Sequence, residues 1–212
     1  NWLSQYLTNR NIEVMTRICI SDNENAIVNS LEHLYKNYNP NYIIITGGLG
    51  PTHDDITKKV LSAYFKLPLQ IDENYLLDLK TKFEKNNLPI PSNIDSQALI
   101  LKGSIPIKNK IGTALGLIIK KNKSKVIILP GVPSEMKHML QDCDILKNKN
   151  KFLYITLSTT GVYESKLYEL LKEIIKKNRA KFKLAFLPKY SGVNIRISKS
   201  DPLLADSDLI KF

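Results

Sequence analysis

The 212-residue sequence predicts an α/β protein in which a largely parallel, doubly wound sheet is followed by a small α+β module. Three observations support this prediction. Strand-length apolar runs alternate with amphipathic helical segments along most of the chain. The run 42–46 is apolar on both faces, which is typical of a buried parallel strand. A polar, lysine-rich stretch at 146–151 then separates this region from a second group of elements.

The first half of the chain gives the main sheet and its first helices. Residues 1–10 have apolar side chains at helical spacing, and residues 11–23 alternate in the manner of a strand. Ser21 or Asp22 is expected to cap the next helix. The elements predicted up to the middle of the chain are a helix at 25–37, the strand at 42–46, a glycine turn, a helix starting near Asp54 and a helix at 76–85.

The second half predicts a hairpin and then the small module. Periodicity does not decide whether 96–101 is helical or extended, and 105–113 is expected to be a loop. The further predictions are hairpin strands at 115–120 and 125–129, a helix at 134–141, a strand at 152–158, a helix at 165–177 and strands at 183–187 and 193–198 around a turn with Pro188 and Gly192. We expect domain limits of 1–146 and 152–198, with a tail at 199–212.

Charge and composition restrict the kind of partner. With 31 Lys and Arg against 20 Asp and Glu, the net charge is +11, which favours anionic partners. The lysines are dispersed and form no cluster with aromatic residues, so nucleic acid is not the expected partner. No apolar run approaches the length needed to cross a bilayer. Cys19 and Cys143 make no disulfide framework, which indicates a reducing, cytoplasmic location.

The first candidate site is the segment 46–57, which reads TGGLGPTHDDIT. Gly47, Gly48 and Gly50 allow backbone amides to approach an anion, and a helix follows them. Asp54 and Asp55 would repel a phosphate unless a cation lay between, so this pair suggests a divalent metal such as Mg²⁺. The alternative is that one of these aspartates simply caps the helix.

Two further segments are candidates for the same edge of the sheet. Residues 129–136 (LPGVPSEM) again close a strand and open a helix, with Glu135 in its first turn. The alternative is a stiff turn in which Glu135 only interacts with the helix dipole. Asp22 follows the strand predicted at 11–23 and would reach this edge if that strand is parallel to its neighbour. Its alternative role is an N-cap.

These segments, read with IGTALGL (111–117) and LSTTGVYESKLYEL (157–170), resemble the CinA family, named for competence/damage-inducible protein A. The resemblance runs from residue 1 to about residue 198. It implies a three-layer α/β/α molybdopterin-binding-like domain of the MoaB/MogA type with a small C-terminal α+β module. It also implies a site for a phosphorylated nucleotide or pterin, and a homodimer.

The resemblance further implies metal-dependent hydrolysis, with Mg²⁺ or Co²⁺, of a nucleotide diphosphate such as ADP-ribose. Asp54 and Asp55 would be the catalytic metal ligands. The residues implied to bind the ligand are Gly47, Gly48, Gly50, Thr52, Asp22, Gly131, Pro133, Ser134 and Glu135. The other functions left open are a non-catalytic molybdopterin- or nucleotide-binding module and a molybdopterin adenylyltransferase.

The sequence departs from the family pattern at three points. The first strand of the family, with its Gly-Asp-Glu loop, is expected upstream of Asn1. The family's GTAPG segment has Leu115 in place of proline. The resemblance does not extend to the C-terminal deamidase domain of many members, so the activity on nicotinamide mononucleotide is not expected of this chain.

Overall fold

The computed structural model describes residues 2–10, 12–142, 146, 154–200 and 208. The helices in these ranges are α1 (Trp2–Thr8), α2 (Glu24–Tyr38), α3 (Thr57–Phe65), α4 (Glu73–Lys85), α5 (Pro133–Asp142) and α6 (Glu164–Asn178), with a 3₁₀ helix at Ile94–Ala98. The strands are β1 (Tyr42–Thr46), β2 (Leu69–Ile71), β3 (Leu99–Leu101), β4 (Ile105–Ile107), β5 (Gly116–Lys121), β6 (Ser124–Leu129), β7 (Tyr154–Ser158), β8 (Phe182–Lys189) and β9 (Gly192–Lys199). None of these helices has the length and apolar character required for a membrane span.

The chain divides into two compact units. One contains Val14–Leu146, and the other combines Asn1–Glu13 with Lys147–Phe212. This division differs from the predicted limits at the N-terminus, because α1 groups with the C-terminal unit. A hydrogen bond of 3.1 Å from the hydroxyl of Tyr154 to Oδ1 of Asn9 is part of that grouping.

The larger unit contains a mixed four-stranded sheet in the order β1-β6-β5-β4. β1 is parallel to β6, as predicted, and the β5–β6 hairpin is also confirmed. Thr46 pairs with Leu129, and Ile107 pairs with Gly116. The strand directions therefore bring three connections to one edge of the sheet: 47–56, 108–115 and 130–132. We call this the loop edge.

Both faces of the sheet are buried, which confirms the three-layer arrangement. Leu117, Ile119 and Val126 share a core cluster with residues of α2, α3 and α4. Ile118 and Ile127 alternate with them and are also buried, so they face the opposite side. On that side Met139 of α5 packs against Gly116. A methyl group added at Gly116 would lie 2.6 Å from Cε of Met139, which shows how closely the helix approaches the sheet.

The predicted strand at 11–23 is wrong for the residues that the structure describes. Residues 12–20 form neither helix nor strand, and Met15, Ile18 and Ile20 are exposed. An alternating pattern shows which side chains a strand could bury but supplies no partner strand, and these residues pair with none in the described ranges. The cap of α2 also differs, because Asn23 accepts the amide of Ala26 at 3.2 Å in place of Ser21 or Asp22.

Two smaller predictions in the larger unit need correction. The helix expected near Asp54 begins at Thr57, after a series of turns. The expected loop at 105–113 starts with β4, which pairs with β5. The undecided segment 96–101 contains the end of the 3₁₀ helix and β3.

The smaller unit has an antiparallel sheet in the order β7-β9-β8 with α6 packed against it. Its core consists of Leu167, Phe182, Val193, Ile195 and Ile197. Pro188 lies inside β8, opposite Val193, and not in the turn as predicted. The predicted linker at 146–151, apart from Leu146, and the predicted tail beyond residue 200, apart from Asp208, lie outside the described residues.

Candidate functional site at the loop edge

The two glycine turns predicted from the sequence meet at the loop edge. The amide of Gly47 donates to the carbonyl of Leu129 at 3.0 Å, which extends the β1–β6 pairing into the turns. A Cβ built on Gly131 would lie 3.3 Å from Cα of Gly47. The backbones of the two turns are therefore in contact, and a side chain at position 131 would stand between them.

The first turn is held against the start of α3 by Thr57. Gly47 and Gly48 have φ values of +103° and +65°, a backbone conformation that favours glycine. The buried hydroxyl of Thr57 donates to the carbonyl of Gly47 at 3.1 Å, and its amide donates to the carbonyl of Gly48 at 3.2 Å. A Cβ at Gly48 would lie only 3.0 Å from Cβ of Thr57. Thr57 thus fixes the path of the glycine turn.

Asp55 closes the next turn instead of capping α3. Its Oδ2 accepts the amide of Thr52 at 3.1 Å and the hydroxyl of Thr52 at 2.5 Å. The cap position of α3 is Ile56, so the alternative reading as a helix cap is not supported by the geometry. A Cβ at Gly50 would lie 2.5 Å from Oδ2 of Asp55, so a side chain there would require this carboxylate to shift.

Asp54 is fully exposed. A hydrogen bond from Thr52 lowers the pKa of this carboxyl group, with a smaller effect from His53. Hydrogen-bond donors favour the charged form of a carboxylate. Asp54 is therefore an anion over the physiological pH range.

The donor set can be compared with what a divalent metal requires. Within the described ranges, no group of three or more His, Cys, Asp or Glu side chains is arranged to hold a metal ion. Asp54 is exposed, and only Oδ2 of Asp55 is used by Thr52. One or two carboxylates together with substrate phosphates and waters are the usual way in which proteins hold Mg²⁺. The pair fits that mode and does not form a metal cage by itself.

A buried lysine lies close to these aspartates. Lys58, the second residue of α3, is 6% exposed, and its Nζ donates to the carbonyl of Gln97 at 3.4 Å. Burial lowers the pKa of Lys58 to about 8, and the charge of Asp55 opposes this change. The same 3₁₀ segment is tied to the glycine turn, since Nδ2 of Asn93, the residue before the 3₁₀ helix, donates to the carbonyl of Pro51 at 3.4 Å.

The second glycine turn, at residues 130–132, leads directly into α5. Pro133 is the first residue of the helix, where its missing N–H costs nothing. Ser134 is exposed at the following position. Glu135, predicted as a ligand-binding residue, has a partner within the protein. Its Oε2 accepts a hydrogen bond of 2.6 Å from Nδ2 of Asn109.

The third wall of the loop edge is the connection between β4 and β5, and the sequence reasoning placed no site residue there. We call residues 108–115, which join β4 to β5, the hairpin loop; it is distinct from the turn of the β5–β6 hairpin. Asn109 is buried at its start, and donors from α4 hold the other end. Nζ of Lys82 donates to the carbonyl of Gly112 at 2.8 Å, and the hydroxyl of Tyr75 donates to the carbonyl of Thr113 at 3.0 Å.

The structure gives no support to the predicted position of Asp22 at the loop edge. It required a strand at 11–23 parallel to β1, and that strand is absent from the described structure. Asp22 is exposed just before α2, and its alternative role as N-cap belongs to Asn23. The hairpin loop, and not this residue, is the third element that the described structure brings to the edge.

The sequence did hold signals for two of the missed residues. An asparagine that precedes a glycine by three positions is typical of a turn in which the side chain accepts backbone amides, as Asn109 does. A threonine that opens a helix after a glycine turn commonly uses its hydroxyl on nearby backbone, as Thr57 does. The burial of Lys58 had no comparable signal, because a lysine in a helix is usually exposed.

A three-layer α/β/α domain with two glycine turns at one edge of its sheet belongs to the class of open α/β proteins that bind ligands at the carboxyl ends of their strands. Residues 1–146 match the sequence family described as "Probable molybdopterin binding domain", and residues 155–207 match "Damage-inducible protein CinA KH domain". The chain belongs to this molybdopterin-binding family.

Individual relatives place the chain among CinA-like proteins. It is 31% identical over 200 residues to a CinA-like protein of Thermotoga neapolitana, covering 94% of this chain and 48% of that protein. It is 32% identical over 209 residues to a CinA-like protein of Chloroherpeton thalassium, covering 93% and 48%. The chain thus spans about half the length of these relatives. The crystal structure of the protein CinA from Thermoplasma acidophilum matches with a TM-score of 0.57 and 30% identity, over 66% of this chain and 80% of that one.

Proposed function

We propose that the loop edge binds a phosphorylated small molecule and hydrolyses its diphosphate bond with the help of a divalent cation, ADP-ribose being the representative substrate. The observation that carries the proposal is the contact of the two glycine turns at Gly47 and Gly131, beside the Asp54–Asp55 pair. The net charge of +11 also favours an anionic ligand.

The residues suggest how the reaction would proceed. The turn at Gly47 and Gly48 would let the backbone come close to a phosphate. Thr57 keeps that turn in place. Water adds to one phosphorus atom, the bridging oxygen leaves with the other phosphate, and the products from ADP-ribose are AMP and ribose 5-phosphate. Asp54 and the free oxygen of Asp55 would hold Mg²⁺ or Co²⁺, whose role when bound is to offset the charge of the phosphates and to make water a better nucleophile.

The experiment is to incubate the protein with ADP-ribose and Mg²⁺ or Co²⁺ and to follow AMP release. Asp55→Asn keeps an acceptor for Thr52 but removes the negative charge, so turnover should fall by about 100-fold or more while ADP-ribose binding changes little. Asp95→Asn, at an exposed aspartate of the 3₁₀ helix, is the matched control and should behave like the parent chain.

The outcomes distinguish the proposal from its rivals. Binding of ADP-ribose in calorimetry without AMP release from either metal would identify a binding module without turnover. Equal losses of binding and turnover in Asp55→Asn would make Asp55 a residue of the turn alone.

We also propose a homodimer in the cytoplasm. The thiol of Cys19 is free and exposed, which suits a reducing compartment. Exposed apolar side chains such as Leu170 and Ile174 on α6 are of the kind that association covers. Light scattering with size-exclusion chromatography should give twice the mass of the chain, and a mass of one chain would refute the dimer.

A further inference from the structure

The hairpin loop is organised around a single buried side chain. Asn109 is 6% exposed and uses both ends of its amide group. Its Oδ1 accepts the backbone amides of Ile111 at 3.2 Å and Gly112 at 2.8 Å. Its Nδ2 donates to the carbonyl of Ala114 at 3.2 Å and to Glu135 at 2.6 Å. All four hydrogen-bonding positions of the side chain are therefore satisfied.

Glu135 anchors this arrangement to α5. The bond of 2.6 Å from Asn109 is short and involves a carboxylate, the class of hydrogen bond that is about twice as strong as a neutral one. The carboxylate also fills the space beside Gly112, where a Cβ would lie 2.5 Å from Oε1. Glu135 thus contacts the loop at both ends of the turn that Asn109 closes.

Several carbonyl groups of the hairpin loop accept hydrogen bonds from protein side chains. Lys82 donates to the carbonyls of Gly112 and, at 3.4 Å, Lys110, while Tyr75 donates to Thr113. Burial and the negative charge of Glu135 raise the pKa of Tyr75, which keeps its hydroxyl a donor. In the part of the chain that the structure describes, the amide and hydroxyl of Thr113 make no hydrogen bond. The loop therefore has hydrogen-bond donors left over at this residue.

We propose that Asn109, held by Glu135, is a positioning residue that fixes the hairpin loop as the third wall of the ligand site, where the donors of Thr113 would be available to acceptor groups of a phosphorylated ligand. The inference about the ligand rests on the proposed function. The inference about the loop itself does not, because it concerns hydrogen bonds within the chain.

The first experiment measures the loop without a ligand. Amide hydrogen exchange at Ile111 and Gly112 should accelerate by about tenfold in Asn109→Ala, because both amides lose their acceptor. Glu135→Ala leaves those bonds and removes only the anchor, so its exchange should rise less, by about threefold. Glu84→Gln, at an exposed position of α4, is the control and should leave exchange unchanged.

A double variant in which the donor and the acceptor are exchanged tests whether Glu135 acts through Asn109. Asn109→Asp keeps an acceptor for the amides of Ile111 and Gly112 but places a carboxylate against Glu135, so exchange should rise, although by less than in Asn109→Ala. Adding Glu135→Gln restores a donor and an acceptor in reversed order, so exchange should return most of the way to that of the parent chain. A double variant that exchanges as fast as Asn109→Asp alone would overturn the role of Glu135.

The second experiment adds ADP-ribose. Asn109→Ala should raise KM by about tenfold with kcat within about twofold, because the loop positions the ligand and does not touch the bond that breaks. Unchanged exchange in both Asn109→Ala and Glu135→Ala would overturn the positioning role. If exchange is faster in the two variants but the parent chain does not bind ADP-ribose, the positioning role of Asn109 in the loop stands and the proposed function is refuted. If Asn109→Ala fails to fold, the exchange of Glu135→Ala decides.

Discussion

Gly131 approaches Gly47 so closely that a Cβ on Gly131 would lie 3.3 Å from Cα of its neighbour. These residues are separated by more than eighty positions in the chain. Gly47 begins the connection that follows β1, and Gly131 is the second residue of the connection that follows β6. The close contact results from the pairing of Thr46 with Leu129 at the last position of the β1–β6 ladder. The two turns therefore form one surface whose shape depends on the absence of side chains.

Gly131→Ala should separate the two turns by a few tenths of an ångström. Gly47 is fixed by its bonds to Leu129 and Thr57, so we expect a destabilisation of about 1 kcal/mol, typical of mild overpacking. Phosphate-ligand affinity, measured by calorimetry with ADP-ribose, should fall several-fold. Val132→Ala, at a half-exposed side chain of the same turn, is the control. Equal affinity in both variants would show that the contact does not shape the site.

Thr57→Val removes one hydroxyl and keeps the shape of the side chain. The carbonyl of Gly47 loses a buried partner, which should cost about 1–3 kcal/mol in the free energy of urea unfolding. Thr57→Ser keeps the hydroxyl and should lose less, chiefly through the missing methyl group. A Thr57→Val protein as stable as Thr57→Ser would argue against the clamp on the glycine turn.

The sequence predicted the elements of the loop edge better than their connections. β1, the β5–β6 hairpin and α5 follow from apolar runs and helical spacing, which are local properties. The strand expected at 11–23 failed because pairing is a property of two segments, and alternation describes only one. The short strand β4 was missed since three residues, one of them Pro106, give too little pattern to recognise.

The candidate site shows the same distinction. The glycine turns and the Asp54–Asp55 pair were visible as local motifs. Glu135 was also identified, but its partner Asn109 lies 26 positions away and no local pattern connects them. The burial of Lys58 depends on the 3₁₀ helix that packs over it, so only the tertiary structure could reveal its lowered pKa.

Lys58 should make stability depend on pH in the alkaline range. Its pKa is about 8 in the folded chain against 10.5 for the ordinary side chain, so the unfolded chain binds more protons between these values. Stability should therefore increase from pH 8 to 10.5 by up to about 3 kcal/mol, since each pH unit corresponds to 1.36 kcal/mol. Lys58→Met should be more stable than the parent chain at pH 7 and lack this increase.

The measurement is the difference in urea unfolding free energy between the parent chain and each variant at several pH values. Taking the difference removes the contribution of other titrating groups that the variants share. Lys59→Met, at the exposed neighbouring position, should follow the parent chain at every pH. If the unfolding free energies of the parent chain and of Lys58→Met change with pH in the same way from pH 8 to 10.5, burial does not lower the pKa of Lys58.

Tyr75→Phe should loosen the far end of the hairpin loop. The variant keeps the buried ring and removes the donor to the carbonyl of Thr113, a bond of 3.0 Å whose loss should cost about 1 kcal/mol. Alkaline titration of tyrosine absorbance provides a second readout, because burial and Glu135 raise the pKa of Tyr75. Burial also raises the pKa of Tyr35 and of Tyr64, so Tyr75→Phe should have one late-titrating tyrosine fewer than the parent chain. Tyr190→Phe, at a fully exposed ring, is the control and should leave the unfolding free energy unchanged. A Tyr75→Phe chain with as many late-titrating tyrosines as the parent chain would contradict the buried position of Tyr75.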